Sequence, residues 1–195
     1  MNAIDRVTIY NRFKNKSEFF EVILVNKYVW SFPLIFIFHD MEEIIGFGMW
    51  LKKNQELFDR KYPSIRKTYR NFSTEGFALA VFEELIVCIL FCVIAVFTEY
   101  EYVWYIWLGG FIACTLHFII HIGQAIVIRQ YIPATITSVM CLPISVWIIV
   151  KCLSELSGGV IKLLLFSFIG IVIVALNSRF AQSLIGKFTI WMNTK

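Results

Sequence analysis

Charged residues are scarce in this chain: Asp, Glu, Lys and Arg make up only 16% of its 195 residues. That excludes a water-soluble globule of ordinary composition, in which about a quarter of residues carry charge. Proline and glycine are also few, at 4 and 10, against 17% aromatic residues, which excludes collagen-like repeats, Pro-rich linkers and intrinsic disorder. The five cysteines, at 88, 92, 114, 141 and 152, are odd in number and show no CxxC spacing, so neither a disulfide framework nor a thiolate zinc site is indicated. They read as small buried hydrophobes. A formal charge of +4, with the basic residues gathered in particular loops, excludes a nucleic-acid footprint. The N-terminal residues lack a signal peptide's order of charge, apolar run and small-residue cleavage site, so the N-terminus is expected to be retained. What the chain does have is 58% hydrophobic residues, 19 Phe and 6 Trp, with a mean hydropathy of +0.70. It reads as an integral membrane protein of the all-α class, a polytopic transmembrane helix bundle.

Crossing roughly 30 Å of hydrocarbon takes about 20 mostly apolar residues. Five stretches approach this, near 28–50, 76–98, 102–128, 131–152 and 158–178, and a sixth remains open. Residues 1–27 mix Arg6, Arg12, Lys14 and Lys16 with the apolar patch Phe19 to Val25 and read as an N-terminal interfacial segment. Residues 179–195 read as a cytoplasmic tail. The loop 51–75 holds Lys52, Lys53, Arg60, Lys61, Arg66, Lys67 and Arg70 against three acids, so the positive-inside rule places it in the cytoplasm of a multi-pass cell-membrane protein. Five spans then leave the basic N-terminus outside, in conflict with the same rule, which leaves its side open. Trp30, Trp50, Tyr100, Tyr102, Trp104, Tyr105 and Tyr131 fall near span ends, where amphipathic rings favour the interface.

The polar minority inside the spans is concentrated. All three His of the chain, His39, His117 and His121, fall there with five of its 14 acids, Asp40, Glu42, Glu43, Glu83 and Glu84. Each charge at mid-membrane costs about 2.5–3.5 kcal/mol even on a lenient scale, so such groups persist only if neutralised, paired, metal-bound or wet. On the inferred orientation Glu43, Glu84 and His121 each lie eight residues from the cytoplasmic end of their span, roughly 12 Å deep, with His39 and His117 about 6 Å deeper. Residues three and four apart share a helix face. His39 therefore shares one with Glu42 and Glu43, and His117 one with His121 and Gln124. An imidazole with a carboxylate one turn away, and two imidazoles one turn apart, are ways in which helices hold a divalent metal. The expected ligands are His39, Glu43, His117 and His121, with zinc ahead of iron or manganese. Glu42 and Glu43 are the expected catalytic carboxylates, one ligating while the other acts as base. Glu83, Glu84, Gln124 and Arg129 are candidates for outer partners or a second metal. Thr135, Thr137 and Ser138 read as hydroxyls bonded to their own helix.

The segment His39-Asp40-Met41-Glu42-Glu43 in an apolar helix resembles the signature of the HXXEE domain family of small bacterial and archaeal membrane proteins. Leu116-His117, followed by His121, Arg129, Tyr131-Ile132-Pro133, Thr137 and Pro143, resembles the family's later block, which favours Gly after the first proline where this chain has Ala134. The resemblance covers roughly residues 30 to 150 and implies a membrane protein with an enzymatic role of unspecified reaction. By position it lends importance to His39, Glu42, Glu43 and His117, whereas Glu83, Glu84 and His121 rest on the depth argument alone. The functional expectation is an intramembrane zinc hydrolase. Its partners would be the lipid bilayer and a lipid-like or peptide substrate, with a homodimer possible. The alternatives are a proton-coupled or metal-ion transporter, a carboxylate-bridged di-iron oxygenase, and a non-catalytic immunity or sensor protein.

Overall fold

The computed structural model describes residues 27–63, 67, 69–98, 100–155 and 160–194. The expected interfacial segment 1–27 lies, but for Lys27, outside the described residues. The described residues contain helices and no strand: α1 (Ser31–Lys53), α2 (Gln55–Lys61), α3 (Thr74–Phe97), α4 (Glu101–Ile128), α5 (Thr135–Glu155) and α6 (Val160–Asn193). The five long helices take up the five expected spans. Four of them, α3 to α6, are long and apolar enough to cross a membrane. In α1, 23 residues long, every stretch of spanning length contains Asp40, Glu42 and Glu43, which dilutes an otherwise apolar helix.

Local signals set the boundaries. Ser73, in an extended conformation, accepts a hydrogen bond from the Gly76 amide at 3.0 Å and caps α3, with Glu75 complementing the helix dipole in the first turn. Lys52 and Lys53 do the converse at the end of α1. Arg129 stops α4 in a left-handed conformation, its amide bonded to the Ala125 carbonyl. Ala134 is the second non-glycine residue with positive φ, at 83°. That is a backbone conformation glycine adopts freely.

Helix α6 departs from expectation. The fifth span was to end at 178 and give way to a tail, yet one helix of 34 residues runs on to Asn193. Its second half has a small core of its own, in which Ala181 and Ile185 bury against Ala80 beside Phe72 and Phe77. The first half crosses α4 at close range. A Cβ on Gly109 would lie 2.0 Å from the Ser167 carbonyl oxygen, and one on Gly170 2.0 Å from that of Ile106, so only glycine lets these backbones approach.

The long helices close a ring in the order α1, α3, α6, α4, α5. Helices α1 and α4 face each other across it and meet through large side chains rather than backbone. In one half, Phe32 sets its edge on Trp107 (6.3 Å between ring centroids) and Phe111 (5.6 Å), while Trp107 stacks on Phe111 at 7°. Trp104, expected at the interface, turns into this core at 2% exposed, and Tyr105, also expected there, is buried at 1% exposed with its hydroxyl donating to Glu101 Oε1 at 2.6 Å. All five cysteines are buried, as expected. The outer surface carries Phe38, Phe82, Phe97, Ile126, Val127, Ile161 and Phe168, all exposed. Large apolar side chains on the outside of long apolar helices belong in lipid, and the chain is a membrane protein.

Candidate metal centre

The other half of the space between α1 and α4 is polar. One turn of α1 brings His39 and Glu43 to its inner face, 1% and 8% exposed, and one turn of α4 brings His117 and His121 opposite. One ligand atom from each of the three imidazoles lies within 4.8 Å of the others. His117 Nε2 and His121 Nε2 are 2.8 Å apart, and Glu43 Oε1 is 3.3 Å from His121 Nε2. Two ligands of a tetrahedral zinc stand about 3.4 Å apart, so this donor set has the size of a single-ion site. The ring of Phe118, 4.6 Å from that of His39, walls the site on the α4 side. His39 and His121 are buried whereas His117 is exposed, so the cluster is open at His117.

The second carboxylate of the motif points elsewhere. Glu42 Oε2 accepts hydrogen bonds from the Thr137 amide at 2.7 Å and the Thr137 hydroxyl at 2.6 Å. Its Oε1 accepts from the Tyr131 hydroxyl at 2.5 Å and, at 3.4 Å, from the Ile136 amide. Glu42 thereby caps the first turn of α5, where unpaired amides and the positive end of the helix dipole gather. The connection leading into that turn is held on α1 as well. Pro133 packs on Gly46 so closely that a Cβ there would lie 2.9 Å from the proline ring. Burial and the bond to Glu42 push the Tyr131 phenol up to about 12. Burial and the charge of Glu43 raise that of Tyr69 in the loop after α2. Both phenols are thus neutral at physiological pH.

Thr137 joins the two parts of the site, its hydroxyl lying 3.2 Å from His39 Nδ1. Among the described residues, His39 Nε2, His121 Nδ1 and Asp40 Oδ2 are buried atoms with no hydrogen-bond partner. Of the other sequence candidates, Glu84 lies within electrostatic reach of Glu43 and Asp40, and both Glu83 and Glu84 bond to α6. Glu83 accepts from the Asn177 amide of α6 at 3.1 Å, and Glu84 bonds Ser178 of the same helix. Gln124 and Arg129 are exposed, the latter at the end of α4. Two residues were missed by sequence reasoning, Thr137 and Tyr131, one read as bonded to its own helix and the other as an interfacial ring. Thr137 does reach the Ala134 carbonyl at 3.3 Å, but its shorter bond crosses to α1. The signal that could have found them was their place in the second motif block, a short step in sequence after His117 and His121.

A family model described as "Protein of unknown function with HXXEE motif" matches residues 30–148. The chain belongs to the HXXEE family. No curated protein and no solved structure matches it. The matched stretch runs from just before α1 to within α5 and so contains every residue of the cluster. In this HXXEE protein the motif's histidine and second glutamate face α4, while its first glutamate faces α5.

Proposed function

We propose that this HXXEE protein is an intramembrane metal-dependent hydrolase, with one zinc held by His39, His117 and His121 and with Glu43 as general base. The observation that carries the reading is the convergence of three imidazoles from two helices, with a carboxylate 3.3 Å from one of them, inside a membrane bundle. Three neutral imidazoles suit zinc and leave a fourth position for water, the arrangement of catalytic rather than structural sites. A carboxylate-bridged metal pair would need further acids, and Glu83 and Glu84 are instead bonded by α6. Glu42 has its lone pairs engaged by α5 and Tyr131, which leaves Glu43 as the carboxylate free to take a proton.

Bound zinc lowers the pKa of its water to about 7. Glu43 would take the proton of the attacking water and return it to the leaving group as an amide, ester or phosphoester is cleaved. The exposed His117 lies beside exposed Leu116 and Ile120, which favours a lipid, lipidated peptide or hydrophobic peptide that arrives from the bilayer.

Elemental analysis of the detergent-purified protein tests this, beside a His39→Ala, His117→Ala variant matched for folding by chromatography. The expected result is about one zinc per chain in the wild type, as for a three-histidine site, and none in the variant. Iron at about two per chain would replace hydrolysis by oxygenase chemistry. A wild type without metal overturns the hydrolase and leaves the cluster as a proton relay.

A further inference from the structure

We infer that Glu42 and Thr137 are positioning residues that fix the tautomer of His39, so that its Nε2 presents a lone pair to the three-histidine cluster. The purpose of this relay rests on the metal reading above, whereas the proton assignment rests on geometry alone. A threonine hydroxyl has one hydrogen. Four acceptor-capable atoms surround that of Thr137: Glu42 Oε2 at 2.6 Å, His39 Nδ1 at 3.2 Å, the Ala134 carbonyl at 3.3 Å and the His39 carbonyl at 3.4 Å. The shortest contact, to a carboxylate, takes the hydrogen, because bonds to a charged acceptor are shorter and about twice as strong as neutral ones. A carboxylate and two carbonyls have no hydrogen to return. The Thr137 oxygen is then an acceptor toward His39 Nδ1, which must carry the ring proton.

A neutral imidazole protonated on Nδ1 has its lone pair on Nε2. That atom is the buried His39 nitrogen with no hydrogen-bond partner among the described residues, and it is the one left to serve as the ligand atom of the cluster. Bonds from a metal-binding imidazole to an outer carboxylate or hydroxyl commonly fix the ring in this way. Here the outer carboxylate is itself fixed by the first turn of α5 and by Tyr131. The motif thereby divides its labour along one helix. Its histidine ligates, its first glutamate acts three residues on through α5, and its second glutamate, four residues on, turns to His121.

Nitrogen NMR of metal-free protein carrying 15N-histidine tests the relay, with His39 assigned by comparison with His39→Ala. The expected spectrum has the proton on Nδ1 and a bare Nε2. A proton on Nε2 of the wild type overturns the inference without any variant. Thr137→Val should shift the proton to Nε2 and weaken zinc binding about 10–100-fold in chelator competition, while Thr137→Ser restores both. Equal zinc affinity in wild type and Thr137→Val would overturn the positioning role. A wild type that binds no zinc overturns the hydrolase reading instead, and the tautomer spectrum then decides the relay by itself.

Discussion

The two halves of the space between α1 and α4 are built by the same pair of helices and differ in almost everything else. In one, Phe32, Trp104, Trp107 and Phe111 bury four large rings against each other, and their only polar side-chain atoms are the two indole nitrogens, also buried without a hydrogen-bond partner among the described residues. In the other, His39, Glu43, His117 and His121 face one another, and buried atoms such as His39 Nε2 and Asp40 Oδ2 have no hydrogen-bond partner. An unsatisfied buried polar atom costs about 1–3 kcal/mol, whereas burying an aromatic ring contributes about as much in the favourable direction. The bundle is thus held by its aromatic half, and the polar half is tolerated for what it can bind.

The sharpest way to break this contrast is to truncate each half and read stability. Trp107→Ala opens a cavity where the indole packs between Phe32 and Phe111, and should destabilise the fold by about 3–5 kcal/mol in a detergent unfolding assay. The His39→Ala, His117→Ala variant should unfold close to the metal-free wild type. What it should lose is the response to zinc, which at a hundred times its Kd stabilises a single-site protein by about 2.7 kcal/mol. A histidine variant that unfolds as readily as Trp107→Ala would show that the cluster is a packing element.

Glu43→Gln sharpens the comparison within the polar half. The amide keeps the shape of the carboxylate beside His121 but takes no proton, so zinc should be retained while turnover of a cleavable lipid or peptide falls about 100- to 10,000-fold. Zinc lost together with turnover would make Glu43 a ligand rather than the base.

The contrast also explains what the sequence disclosed. Long apolar runs fixed the helices, and counting residues inward from the cytoplasmic end of each span brought Glu43 and His121 to one level, where they are in fact 3.3 Å apart. Depth along a helix is linear in residue number, so it survives an error of a few residues at each end. Rotation about the axis is not recoverable in that way, because each residue turns the face by about 100°. Sequence named Glu43 among the ligands yet left both glutamates as candidate bases, and their neighbours in the structure differ. The same limit hid Thr137, whose partners lie 95 and 98 residues away. The length of α6 was hidden for another reason: the fifth hydropathic run ends at 178, and the contacts of Ala181 and Ile185 lie just beyond it. The interface reading of Trp104 and Tyr105 failed on rotation again: position near a span end does not say whether a ring turns outward to the headgroups or inward.

Tyr131→Phe carries the smallest expected effect, because Tyr131 is one of several donors to Glu42 and is itself exposed. Loss of its hydroxyl should cost about 1 kcal/mol and leave zinc content unchanged, since the Thr137 hydroxyl and amide still hold the carboxylate. The pH dependence has a definite sign. The phenol is raised from 10.0 to about 12, first by burial and then by Glu42, so the folded state holds the proton more tightly than the unfolded chain does. The stabilisation is fully present below the unfolded pKa and is lost as pH rises through the folded one. The stability gap between wild type and Tyr131→Phe should therefore stay constant from pH 6 to 9 and shrink only in the interval from about 10 to about 12. A gap that changes between pH 6 and 9 would mean that a different group controls the bond to Glu42.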